Sequence, residues 1–355
     1  MTDECFNARR RAVTEAISAE LTPESVSADL ELRFRPPVGL RSPHVQAVFG
    51  TSALRRWRIE RQASELVGHS RSEILECPDG TRLQALVSRH AEGGARPLVV
   101  GLHGWHGCAD SLYLLSTCSR LFASGFDVIR LNMRDHGDTH GLNEELFHSC
   151  RLDELVQAIG LIRSCFPGRP LALLGFSLGG SFALRAARVA PAAGIVIDQV
   201  LAICPVLDPT ATMYALDGGW FGYRLYFMRR WRQSLAAKQR YFPDRYDFSE
   251  TSDLSTIEAM TDWFVTRHTE FGSSDRYLAG YTITGNHLDD LEVPTTLITA
   301  LDDPVIPAAG LRQLARPRAL TIAVTRHGGH CGFLNDYRLS NWLDGEVEQR
   351  LRLLL

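Results

Sequence analysis

The chain has 355 residues, 45% of them hydrophobic and 22% charged, with a formal net charge of −3. This is an ordinary globular composition, long enough for a sizeable core, and its charge leaves no electrostatic footprint for nucleic acid. Eight cysteines lie scattered without a C-x-x-C pair, which favours reduced thiols in a cytoplasmic protein over a disulfide frame or a zinc ribbon.

Residues 4–19 read as an amphipathic helix through Phe6, Val13 and Ile17, with Arg9, Arg10 and Arg11 on its wetter side. Charges run through this start, and no window approaches about 18 apolar residues, so neither a signal peptide nor an integral membrane segment is expected. The stretch Phe34–Gln46 is too proline-rich for a regular element and too apolar for a free linker, and is expected to wrap the core. Glu73–Cys77, the Pro78-Asp79-Gly80 turn and Arg82–Ser88 make a hairpin. Strands and helices then alternate: strand Leu98–Leu102, a helix over Ser111–Ala123 capped by Asp110 or Ser111, strand Asp127–Asn132, a helix over Leu152–Arg163, and a strand from Leu171. Val200–Cys204, Thr295–Ala300 and Leu320–Thr325 are further strands, with helices over Pro307–Ala315 and Tyr337–Leu354. Such alternation predicts an α/β fold, a mostly parallel doubly wound sheet whose ligand crevice lies at the carboxyl ends of its strands.

One interval lacks strands. Between about Asp208 and Leu291 helical patterns take over, among them Trp220–Arg240 and Leu254–Arg267, which suggests a helical lid inserted over the crevice. On a wheel Trp220, Tyr223, Phe227 and Trp231 share one side, with Phe221, Leu225, Met228 and Leu235 beside them. Periodicity leaves open which of these meets a ligand and which packs on the core. Arg229, Arg230, Arg232, Lys238 and Arg240 read as a solvated face. The expected organisation is therefore an N-terminal helix and wrapping segment (1–60), a core (61–207 and 292–355) and a lid (208–291).

The centre of the chain is Leu171-Ala172-Leu173-Leu174-Gly175-Phe176-Ser177-Leu178-Gly179-Gly180, an apolar run of strand length meeting a serine fenced by glycines. A serine held at a sharp strand-to-helix turn needs neighbours without side chains two positions away on either side, so Ser177 is read as a nucleophile. A serine hydroxyl needs a histidine to take its proton, and the histidine an acid to fix its tautomer. Asp302-Asp303-Pro304-Val305-Ile306 follows the strand Thr295–Ala300, and Asp303 is the chosen acid with Asp302 in reserve. In the loop Arg326-His327-Gly328-Gly329-His330-Cys331-Gly332-Phe333, His330 is the expected base and His327 a hydrogen-bonding support. The oxyanion is assigned to the N–H groups of Leu178 and of Trp105 in His103-Gly104-Trp105-His106-Gly107. His103, His106, His136 and His140 lack zinc spacing and are expected to be structural, so no metal or other cofactor is anticipated.

These phrases together resemble the α/β-hydrolase superfamily, and within it the YheT-like branch of carboxylesterases and acylglycerol lipases. The matching pieces are Phe34–Gln46, the His103–Gly107 loop, the Gly175–Gly180 elbow, the Asp302-Asp303-Pro304 phrase and the Gly328–Phe333 loop, in that order. The resemblance implies hydrolysis of carboxylic esters, with apolar acyl or lipid-like groups, by Ser177, Asp303 and His330, and a small-molecule ester as partner. An acyltransferase with the same triad, a slow-turnover binding protein of this fold and a scaffold role are the alternatives. Substrate identity and oligomeric state are not legible.

Overall fold

The structure, a computed structural model, describes residues 21–91 and 96–355; the expected helix over 4–19 lies outside them. Among the described residues there are nine strands: β1 (Leu30–Glu31), β2 (Ser70–Glu76), β3 (Arg82–Ser88), β4 (Leu98–Leu102), β5 (Asp127–Asn132), β6 (Leu171–Phe176), β7 (Gln199–Ile203), β8 (Thr295–Ala300) and β9 (Leu320–Thr325). They form one sheet in the order β1-β9-β8-β7-β6-β4-β5-β3-β2. Pairing is parallel from β1 through to β5 and antiparallel where β3 meets β5 and β2.

The central strands are wholly buried on both faces, which is why they read as unbroken apolar runs instead of alternating ones. From β4 the chain runs outward to β5 and then returns to β6 on the other side. This reversal of strand order opens a crevice at the carboxyl ends of β4 and β6.

Helices cover both faces. In chain order they are α1 (Pro43–Gly50), α2 (Ala53–Gln62), α3 (Ser64–Gly68), α4 (Leu112–Ala123), α5 (Leu152–Cys165), α6 (Leu178–Val189), α7 (Pro209–Gly218), α8 (Phe221–Tyr241), α9 (Ile257–His268), α10 (Ser274–Ala279) and α11 (Trp342–Leu351). Pro43 does not prevent a helix in the stretch expected to be irregular. It occupies the first turn of α1, where a missing N–H costs nothing. Ser111 is the N-cap of α4, but its hydroxyl accepts from Cys108 N and not from the helix.

Two expected helices are shorter. Pro307–Ala315 tightens into a 3₁₀ turn over Ala308–Gln313, and the last helix starts only at Trp342, where Asn341 accepts from Leu343 N. Between β7 and β8 the described chain holds helices α7 to α10 and a 3₁₀ turn at Ser249–Asp253, with no strand. Asp208 caps α7 by accepting from the N–H groups of Thr210 and Ala211. Trp220, Phe221 and Leu225 do not share the buried arc expected for them: they are exposed, while Tyr223, Met228, Trp231 and Leu235 are buried.

Candidate active site

β6 ends at Phe176 and α6 begins at Leu178, so Ser177 alone makes the turn, at φ 53° and ψ −120°. That left-handed conformation costs a non-glycine residue on the order of 1–3 kcal/mol, and the surroundings enforce it. Ser177 N donates to Ile203 O at 2.8 Å and Ser177 O accepts from Ser181 N at 3.1 Å. The two flanking glycines are required by contact. A Cβ on Gly175 would sit 2.2 Å from Gly179 O, and one on Gly179 would sit 2.4 Å from His103 O. The tight crossing lifts the serine hydroxyl above the sheet edge.

His330 is carried there by the loop after β9. Its Nε2 lies 3.0 Å from Ser177 Oγ, and its Nδ1 lies 2.8 Å from Asp303 Oδ2. A neutral imidazole that donates from Nδ1 to the carboxylate presents the Nε2 lone pair to the serine hydroxyl, the tautomer a general base needs. Burial pushes this imidazole's pKa down, but the Asp303 charge and hydrogen bond outweigh it, and the net displacement is upward.

The Asp303 side chain is completely buried, and its Oδ1 accepts from Val305 N at 2.8 Å and Ile306 N at 2.9 Å. Those bonds tie Asp303 to the Val305-Ile306 pair that follows it: the turn's own backbone fixes the carboxylate. Asp302 points elsewhere. Its Oδ1 accepts from Gly329 N at 2.9 Å, and its Oδ2 is 3.5 Å from Nδ1 of the more exposed His327. Burial first, with a smaller push from Asp303, raises the Asp302 carboxyl to about 6, against the hydrogen bond from Gly329 and the His327 charge. His327 therefore stands beside Asp302, and His330 is the histidine that meets the serine hydroxyl.

The His103–Gly107 loop crosses Ser177 closely enough that a Cβ on Gly104 would lie 3.1 Å from Ser177 Cβ. Leu178 N is the first N–H of α6, and no carbonyl inside the helix can accept from it. Trp105, Ser177 and Leu178 line one cleft, open on one side to solvent. Its remaining wall is mostly apolar, including Val206, Met213, Leu216, Phe264 and Ile306. Phe227 of α8 stacks on Trp105 at 5.5 Å between centroids, and Trp231 meets the same indole edge-on at 5.0 Å.

The alpha/beta hydrolase family profile matches residues 99–339, more than half of the chain. The chain belongs to the alpha/beta hydrolase family. It is similar to Phospholipase ABHD3 of Bos taurus, 18% identical over 80% of this chain and 72% of that one. The esterase Pf2001 of Pyrococcus furiosus shares the fold at a TM-score of 0.53 and 14% identity, over 83% of this chain and 93% of that one. A Pyrobaculum calidifontis esterase does so at a TM-score of 0.53 and 18% identity, over 89% and 97%. Among the described residues of the hydrolase, no helix is long and apolar enough to cross a membrane.

Of the four loop histidines of this hydrolase, His103 and His136 bond to backbone, His140 Nε2 lies 2.9 Å from Ser234 Oγ, and His106 Nε2 has no hydrogen-bond partner. His103 Nδ1 donates to Gly104 O and its Nε2 accepts from Met133 N, while His136 does the same with Arg134 O and His106 N. Burial lowers His103 to about 4, so that ring stays neutral at ordinary pH. A different group has donor geometry for a metal: Cys204, His330 and Cys331 bring one ligand atom each within 4.8 Å of one another. Any ion there would compete with Ser177 and Asp303 for the same imidazole.

Sequence reasoning also missed Asp135 and Lys238. Asp135 lines the cleft, and its Oδ1 receives Lys238 Nζ at 2.8 Å, an almost fully buried ion pair tying α8 to the loop after β5. Lys238 reads as surface because helical periodicity cannot reveal a buried carboxylate 103 residues away.

Proposed function

We propose that the protein is a serine esterase that cleaves carboxylic esters with apolar acyl groups through an acyl-enzyme on Ser177. His330 takes the hydroxyl proton as the oxygen attacks the ester carbonyl and returns it to the departing alcohol. Asp303 orients the imidazole and stabilises its charged form, and the N–H groups of Leu178 and Trp105 receive the oxyanion. Water, activated by the same histidine, then releases the acid.

The observation that carries this reading is the continuous Asp303–His330–Ser177 hydrogen-bonded chain at the floor of an apolar cleft. We read 208–291 as a lid, because Phe227, Trp231 and Phe264 from that interval roof the cleft over Ser177. The Phe34–Gln46 and Gly328–Phe333 phrases support membership of the YheT-like branch, and the likeness to a phospholipase favours a lipid-like substrate.

The test is p-nitrophenyl butyrate turnover in two histidine variants. His330→Ala is expected to lower kcat by roughly 10²–10⁴ or more, while His327→Ala stays within a few-fold of the native rate. The reverse order would exchange their roles.

A further inference from the structure

Arg185, on α6, is 8% exposed and has no carboxylate within ion-pairing distance among the described residues. Its Nη1 donates to Ser149 O at 3.0 Å, its Nε to Ser181 O at 3.4 Å, and its Nη2 has no partner. Aromatic faces flank it, with the guanidinium carbon 4.3 Å from the Phe182 centroid and 5.8 Å from that of Tyr281. Other buried cations of the protein differ. Arg134 has Glu154, Arg169 has Asp127 and Lys238 has Asp135, while the charge of Asp344 bears on Arg55. The titratable groups beside Arg185 are Cys150, Tyr281 and Tyr277, all pushed up by burial and neutral at ordinary pH, and burial lowers Arg185 itself to about 10, still a cation at neutral pH.

This unpaired charge stands one residue behind the cleft. Ser149, Tyr277 and Tyr281, which surround it, all line the cleft, and so does His148, 6% exposed, with an Nδ1 that has no hydrogen-bond partner. Two unpartnered nitrogens therefore mark the Ser149–Tyr281 end of a mostly apolar cleft, whose lining also holds the unpartnered His106 Nε2 and the Asp135 carboxylate paired with Lys238. Burying a lone cation is expensive, and a buried polar atom without a partner carries the full cost of its desolvation. Burial lowers His148 to about 3, so its ring is neutral, and an arriving anion would relieve both groups when the ring carries its proton on Nδ1. Ser177 precedes Arg185 by eight residues, which along α6 is roughly 12 Å, so the charge lies at the far end of a medium-length acyl chain and not at the reacting carbonyl.

Building on the esterase reading, we propose that this end of the cleft seats a carboxylate at the distal end of the acyl chain. The preferred substrates are then monoesters of medium-chain dicarboxylic acids. The carboxylate meets His148 and the Ser149–Tyr281 wall, and Arg185 supplies its counter-charge. A monoanion matches the single buried cation; a phosphate dianion would leave charge uncompensated.

The experiment compares kcat/KM for p-nitrophenyl monoesters of hexanedioic, octanedioic and decanedioic acids with the alkanoates of equal length. The native protein is expected to favour the acid-ended chain by about tenfold or more at one length, the factor of a charge-assisted hydrogen bond. That ratio, read within each variant, falls to about one in Arg185→Met and is partly kept in Arg185→Lys. A native ratio at or below one, or a ratio untouched by Arg185→Met, overturns the proposal. A binding measurement separates this from failure of the esterase reading and holds if Arg185→Met does not fold. Calorimetry on Ser177→Ala is expected to show monomethyl octanedioate binding more tightly than methyl octanoate. Equal or absent binding of monomethyl octanedioate overturns the subsite whatever the catalytic role of Ser177.

Discussion

At the scale of single residues, the site depends on where side chains are forbidden as much as on those present. Gly179 is packed against the His103 and Leu102 carbonyls, so Gly179→Ala must push apart β6, α6 and the Trp105 loop. We expect about 1–3 kcal/mol lost in urea unfolding and a larger loss of turnover, since Leu178 N moves with the elbow. The two adjacent aspartates show what the sequence left open. Adjacent residues at a strand end point opposite ways, so only one of the pair can face the crevice, and the fold decides which: Asp303 Oδ2 meets His330 Nδ1 while Asp302 holds Gly329 N.

Asp303→Asn is therefore expected to cost up to about 10⁴ in kcat by favouring the wrong imidazole tautomer, and Asp302→Asn much less. The pH profile carries a signed expectation. Because His330 titrates above its ordinary 6.5 and must be neutral to act, activity falls as pH drops through that raised value. Residual activity in Asp303→Asn, which lacks the charge that raises it, should persist to lower pH. A rising limb that does not move would separate Asp303 from His330.

At the scale of elements, α8 shows why periodicity reads a helix yet misjudges its faces. Its extent was legible, Trp220–Arg240 against the observed Phe221–Tyr241. Its surroundings were not: Phe221 and Leu225 are exposed, whereas Lys238, read as solvated, is buried against Asp135, Asn143 O and Glu145 O. Lys238→Met leaves the Asp135 carboxylate buried without its partner and is expected to cost about 3–5 kcal/mol in chemical unfolding. Because α8 also carries Phe227 and Trp231 onto Trp105, KM for longer acyl esters should rise in this variant. A loss below about 1 kcal/mol would mean that water reaches the carboxylate and that the pair does not anchor the helix.

Helices α1 and α2 were missed altogether. Proline and glycine in 36–43 suppress the signal for α1, and Ala53–Gln62, with four arginines and a tryptophan, shows no ordinary apolar stripe. Arg55 is nevertheless buried there, donating to Gly50 O and Leu339 O.

Across the whole molecule, these missed helices brace the histidine loop from behind. Gln46 donates through Nε2 to Leu40 O at 2.6 Å and Leu334 O at 3.1 Å, and its Oε1 accepts from Leu334 N at 2.6 Å. Gly329 and Gly332 pass so close to Pro43 O and Gln46 O that neither has room for a Cβ. Phe34 packs on Phe333 and Trp342, so the first described segment and the last helix clasp the same loop. Gln46→Leu strands backbone groups on both sides and is expected to cost about 1–3 kcal/mol while lowering kcat more than it raises KM. Most of the strands and the sequence of chemical groups along the chain were legible because burial on both faces and glycine-flanked turns leave local marks. A brace between residues 288 apart leaves none.

The central claim is that one serine, Ser177, is activated by His330 for attack on an acyl carbon. The most direct measurement is labelling of the native protein with a fluorophosphonate, followed by mass mapping of the adduct. A single adduct on Ser177, lost in Ser177→Ala and strongly slowed in His330→Ala, is the expected result. Labelling that persists at another residue in Ser177→Ala, or that leaves Ser177 unmodified in the native protein, would contradict the account.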